Sequence, residues 1–216
     1  MKRIITFVAL LAVLGLAGCG EPQPTSRGVY MLMDTSGTYT KELKKAQDII
    51  NAILTKLDTG DTFAVARIDT GSFSEKDILA KVTFDDRPSM ANQEKRRFRD
   101  TIHRYVKTVR PSRYTDITGG LLQASEFLNE KNTGAKTILI FSDLDEDLKK
   151  GHIRDIALAL DGFEVVALNV TKLNKDIVDP RIYLERLARW QSKVESGGGK
   201  WKVINDIDRL EQIILN

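Results

Sequence analysis

Past residue 27 the chain alternates two hydrophobic patterns. Val29 to Met33, "TFAVARI" (62–68), "KTILIFSD" (136–143) and "FEVVALNV" (163–170) are short, nearly continuous apolar runs, the signature of strands buried on both faces. Between them apolar residues recur at helical spacing: Leu43, Ala46, Ile50, Ile53, Leu54 and Leu57, then Phe98, Ile102, Tyr105 and Val109, then Leu121, Ala124, Ser125 and Leu128. Ile153, Ile156, Ala157 and Leu160 predict another helix behind the 136–143 strand. Asp179-Pro180 is an N-cap and first-turn signal for a helix to about Val194. "GGGKWKVI" turns into a last short strand, and "DIDRLEQIIL" closes as a helix.

"ILAKVTF" (78–84) follows the second apolar run too closely for a helical crossover, so it pairs antiparallel. Apolar strands alternating with amphipathic helices give an α/β fold, a mostly parallel sheet covered on both faces. Right-handed crossovers reduce the choices to a doubly wound six-stranded sheet of order 3-2-1-4-5-6, with "ILAKVTF" as its antiparallel edge strand. Strands 1 and 4 are then neighbours at the topological switch point, where ligands of such sheets bind at the carboxyl ends of the strands.

The first 27 residues follow neither pattern. Lys2 and Arg3 precede an apolar stretch, Ile4 to Leu16, that ends in the small residues of Leu16-Ala17-Gly18-Cys19. This reads as a signal peptide over residues 1–18, too short for a spanning helix of about 20 apolar residues. "LAGC" resembles the lipobox of bacterial lipoproteins, which implies cleavage before Cys19 and lipidation of it. Cys19 is the chain's single cysteine, so a disulfide within the monomer is excluded. "GEPQPTSR" reads as a short tether, giving a lipidated, flexible stretch over 19–27 and a domain over 28–216. By the same resemblance, Gly20 after the cysteine implies the periplasmic face of the outer membrane in a two-membrane bacterium. The leader holds two of the 33 basic residues and none of the 30 acidic ones. The exported part is therefore nearly neutral, which argues against a nucleic-acid partner.

Chemistry concentrates where two apolar strands end. Strand 1 ends in Asp34, followed by Ser36 and Thr38, and strand 4 ends in Asp143. The proposed sheet order brings the two acids together. Two bare carboxylates about 5 Å apart repel by roughly 3 kcal/mol at an effective dielectric near 20, which a hard divalent cation would remove. Hydroxyls suit Mg2+, which takes oxygen ligands in octahedral geometry and keeps several waters.

"DTSGT" (34–38), "YTD" (114–116) and "FSD" (141–143) together resemble the metal-ion-dependent adhesion site (MIDAS) of von Willebrand factor A (vWA) domains, in both element order and motif order. The likeness runs over residues 28–216. It implies that Ser36 and Thr38 hold Mg2+ (with Mn2+ or Ca2+ as substitutes) through their hydroxyls, and that Thr115 does so directly or through water. The same likeness implies that Asp34 and Asp143 hold coordinating waters and that one position stays open for a carboxylate of a protein partner. Three features depart from the family pattern. Thr38 replaces a serine, no glycine pair precedes Thr115, and Leu144 stands where glycine commonly follows the last aspartate.

The expected function is thus a lipid-anchored, non-enzymatic binding module. Two alternatives stay open at this point: a vWA-like domain without metal, whose Thr38, Thr115 and Asp147 only cap helices, and an Mg-dependent phosphatase of haloacid dehalogenase-like type with Asp34 as nucleophile. "DTSGT" resembles that superfamily's motif, but no second aspartate stands two residues after Asp34 as general acid. "SDLDEDL" (142–148) fails as a calcium loop, since Leu148 and Arg154 occupy the glycine and glutamate positions. Asp145, Glu146 and Asp147 are expected instead at a helix N-terminus.

Overall fold

Six strands form one sheet in the order β3-β2-β1-β4-β5-β6, as the hydrophobic pattern predicts. They are β1 (Arg27–Met33), β2 (Thr62–Arg67), β3 (Ile78–Thr83), β4 (Ala135–Phe141), β5 (Phe163–Leu168) and β6 (Lys200–Ile204). All neighbours are parallel except β2 and β3, which run antiparallel. The computed structural model describes residues 25–37, 39–69, 75–151 and 154–205. Residues 1–24 (Cys19 and most of the expected tether among them), Thr38, Ile153 and the helix expected over 206–215 lie outside the described residues.

The apolar runs are continuous because both faces of the sheet are covered. Val29, Met31 and Met33 of β1, Leu139 and Phe141 of β4 and Val166 of β5 face α1 (Leu43–Lys56) and α2 (Pro88–Thr108). The alternate residues, Tyr30, Leu32, Ile138, Ile140, Val165 and Ala167, face α3 (Ile117–Glu130) and α5 (Pro180–Ser196). Asp179 caps α5 by accepting from the Arg181 N–H, with Pro180 in the first turn. A short helix, α4 (Asn174–Val178), precedes it and has no counterpart in the periodicity reading. Among the described residues no helix is long and apolar enough to cross a membrane.

One expected helix is absent. Residues 154–160 are not helical. Leu158 and Leu160 are buried while Ala157 and Ala159 are exposed, an alternation of period two. Leu160 N–H donates to the Gly197 carbonyl at 2.7 Å, fastening the segment beside the end of α5. The apolar residues from Ile153 to Leu160 fit a period of 3.6 and a period of two, and this tertiary contact selects the extended form.

Helix α3 lies close on β1, which matters because the Thr115 loop leads into it. A Cβ on Gly120 would stand 2.7 Å from Ile68 Cγ2 and 3.0 Å from both Leu32 δ-methyls. Gly120→Ala is therefore expected to lower unfolding free energy by about 1–3 kcal/mol through overpacking, read by urea denaturation. An unchanged midpoint would mean that the helix backs away freely.

Candidate metal centre

β1 and β4 pair in register, Met33 opposite Phe141, and the ladder runs one residue further through the Asp34 N–H to the Phe141 carbonyl at 3.0 Å. Asp34 and Asp143 thereby leave adjacent strands at the same end of the sheet. Each is only 1–2% exposed.

The Asp34 carboxylate is held on both oxygens. Its Oδ1 accepts from the Ser36 N–H at 2.8 Å and from the Thr115 hydroxyl at 3.5 Å, and its Oδ2 accepts from the Ser142 hydroxyl at 2.6 Å. Ser142 also accepts from the Leu144 N–H at 3.0 Å. Asp143 Oδ1 accepts from the Asp145 N–H at 3.0 Å. The structure thus gathers Asp34, Ser36 and Thr115 by direct contact and brings Asp143 beside them.

Electrostatics agree with that proximity. Burial raises the Asp34 carboxyl above its ordinary range, against the hydrogen bonds of Ser142, Ser36 and Thr115. Burial, together with the negative charges of Asp34 and Asp145, pushes Asp143 up from 3.8 to about 6. Folding thus favours the protonated Asp143, and this stabilisation is present at low pH and lost as pH rises through about 6. Without metal, wild type should lose up to about 3 kcal/mol relative to Asp143→Asn between pH 4 and 7. Parallel stability curves for the two proteins in EDTA would contradict this.

Main-chain bonds lock the surrounding loops together. Ser112 N–H donates to the Thr35 carbonyl (2.8 Å), and Gly37 N–H to the Ser112 carbonyl (3.1 Å). Thr115 and Asp147 exchange both N–H···O bonds, at 2.9 and 3.0 Å, and Asp116 N–H reaches the Ile68 carbonyl at 2.8 Å. The N-cap of α3 is Asp116, whose Oδ1 accepts from the Gly119 N–H at 2.7 Å. Its Oδ2 takes the Arg154 guanidinium at 2.9 and 2.8 Å.

Residues 145–147 begin no helix of their own, and of the three acids expected at a helix N-terminus only Glu146 is seen at one. Glu146 reaches through space to the N-terminus of α3, accepting from the Thr118 N–H at 2.7 Å, while Asp147 bridges Thr115. Thr115 and Asp147 are accordingly not N-caps. Leu144 has φ of 64°, a left-handed conformation costly for a leucine, at the position where the vWA pattern commonly has glycine. Its buried side chain and a Trp190 Nε1–H bond to its carbonyl at 2.9 Å hold it there.

The roles of Ser142, Ser112 and Arg154 were not read from the sequence. Only Ser142 left a signal, as a hydroxyl inside the quoted "FSD". Among the described residues no three His, Cys, Asp or Glu side chains gather as a metal cluster. The donors assembled are two carboxylates with hydroxyls, all oxygen, a set suited to a hard cation.

No family model matches the chain, and no curated protein matches it. Solved structures do. A von Willebrand factor type A protein from Catenulispora acidiphila superposes with a TM-score of 0.54 at 12% identity, over 88% of this chain. The fold is that of a vWA domain. An aerotolerance-related membrane protein from Bacteroides fragilis gives a TM-score of 0.51 at 14% identity, over 88% of this chain and 96% of its own. The pilus adhesin SpaC from Lactobacillus rhamnosus GG gives 0.53 at 13% identity, over 90% of this chain. The vWA-like chain spans 41% of the Catenulispora protein and 29% of SpaC.

Proposed function

We propose that this chain is an exported, membrane-anchored vWA-like binding module whose cradle of Asp34, Ser36, Thr38, Thr115 and Asp143 takes Mg2+ to engage a carboxylate of a protein partner. The observation that carries the reading is the pair of buried acids at the ends of β1 and β4, one of which, Asp34, accepts from the Thr115 and Ser142 hydroxyls. Bound Mg2+ would neutralise the two acids and offer an open position to an anionic ligand. Asp34, fixed through both oxygens, orients its neighbours rather than attacking a substrate, which supports a role in binding over a phosphatase. Asp143, with a raised affinity for protons, ionises fully once a cation stands beside it. The B. fragilis protein is a membrane protein and SpaC is a pilus adhesin, in keeping with an exported binding role here.

The parallel sheet gives the module a direction. The chain enters the domain at Arg27, where the guanidinium is held by Asp61 at 2.7 Å, and β1 carries it about 20 Å to the cradle. A lipid on Cys19 would thus attach at the pole opposite the cradle.

Calorimetric titration with Mg2+ tests the reading: one site per chain is expected, lost in Asp143→Ala. No heat in wild type, or metal-dependent turnover of an aryl phosphate that disappears in Asp34→Asn, would reverse it. The anchor is tested separately by palmitate labelling in cells, expected in wild type and absent in Cys19→Ser.

A further inference from the structure

The segment after β5 carries large apolar side chains that the domain leaves uncovered. Ile177 and Val178, at the end of α4, are 73% and 87% exposed, and Leu184 on the first turns of α5 is 62% exposed. Scattered exposed apolar residues are ordinary on a protein surface, but an adjacent pair with a third close in sequence is a candidate contact surface.

Contacts tie this segment to the loops of the cradle. The Tyr39 hydroxyl, on the loop after β1, donates to the Asn169 carbonyl at 2.5 Å, and Asn169 Nδ2 donates back to it at 2.9 Å. Lys175 pairs at 2.7 Å with Asp145, two residues beyond Asp143. Asp176 makes two hydrogen bonds to Arg186, at 3.1 and 2.6 Å, in an almost fully buried pair that fixes α4 on α5. α4 is thus held, not loose, at the rim that carries Asp143, with Ile177 and Val178 directed to solvent.

We propose that Ile177 and Val178, with Leu184 alongside, form the apolar half of the ligand surface, taking an apolar side chain of the same protein segment whose carboxylate reaches the cradle. This rests on the metal-centre reading above. Two features select a protein ligand over other occupants. The ridge lies at the carboxyl ends of the strands, on the rim that carries the cradle, so a segment whose carboxylate reaches the cradle also passes the ridge. Along residues 172–189 Lys175 and Arg181 are paired with Asp145 and Asp179, and of the remaining exposed charges Lys172 and Arg189 outnumber Glu185. That balance favours an acidic partner and disfavours self-association through the same patch on two copies. The recognised motif is therefore an acid with a large aliphatic or aromatic residue nearby, the first giving direction and the second affinity.

Random peptides displayed on phage, panned on the full chain in detergent with Mg2+ and released by EDTA, test the proposal. The expected winners share an Asp or Glu and a large apolar residue at constant spacing. A synthetic winner should bind Ile177→Ser/Val178→Ser about tenfold or more weakly by anisotropy. The Mg2+-dependent thermal shift of that variant should be unchanged, showing that fold and cradle are intact. Winners with an acid but no apolar companion, or equal affinity for the variant, overturn the ridge and leave the metal reading standing. No EDTA-released acidic peptide overturns both. A dimer in sedimentation, or flotation with phosphatidylglycerol vesicles, that is abolished by the same substitutions would reassign the ridge to a second copy or to lipid, and so also overturn the proposal.

Discussion

Replacing Asp34 by Asn is expected to leave the domain folded and to erase its response to Mg2+. Wild type in Mg2+ at a hundred times the dissociation constant should gain about 2.7 kcal/mol by mass action. For a domain of this size that is a rise in melting temperature of about 5–10 °C. Asn keeps the shape of Asp34 and an acceptor for the Ser36 N–H, and the Ser142 hydroxyl can rotate to meet it. What it removes is a negative charge that burial disfavours in the folded protein. In EDTA, Asp34→Asn should therefore melt at or above wild type, and in Mg2+ well below it. This inversion separates a metal cradle from a capping cluster, in which Asp34→Asn would cost the same in both buffers.

The second large effect lies beside the cradle. Arg186 and Asp176 form an ion pair whose side chains are 3% and 0% exposed. Arg186→Ala strands a buried carboxylate and should cost about 3–5 kcal/mol, read by urea denaturation. The Arg186→Met/Asp176→Asn pair should recover more than half of that, because no charge is left buried and Asn still accepts from the Leu173 N–H that Asp176 now caps at 2.7 Å. The hydrogen bonds from Arg186 hold the Asp176 carboxyl below its ordinary range. Its contribution is thus present above the ordinary carboxylate range and lost as pH falls through the lowered value, opposite in sign to Asp143. A loss under about 1 kcal/mol in Arg186→Ala would show that α4 is held by packing alone.

Sheet order was readable because β1, β4 and β5 are buried on both faces and so carry unbroken apolar runs, which few other environments produce. From that order the meeting of Asp34 with Asp143 followed, over more than a hundred residues of chain. The crossover after β4 was not readable. Its apolar residues satisfy two periods at once, and the deciding contact, Leu160 on Gly197, is non-local. Glu146 stands at a helix N-terminus as acids commonly do, but the helix is α3, reached through space, and Asp147 bridges the Thr115 loop instead. The short helix α4, five residues long, is below the length at which periodicity distinguishes a helix. Leu144 marks the limit of motif reading. It departs from the glycine of the family pattern, yet the backbone still adopts the left-handed turn, stabilised by Trp190.

One hard cation is proposed to sit between the ends of β1 and β4. Diffraction from crystals grown with Mn2+, recorded where manganese scatters anomalously, tests it most directly. One strong anomalous peak is expected, bounded by the Ser36, Thr38 and Thr115 hydroxyls and the waters of Asp34 and Asp143, and none in Asp34→Asn crystals. An empty cradle at millimolar Mn2+, or a peak bound elsewhere on the domain, would contradict it.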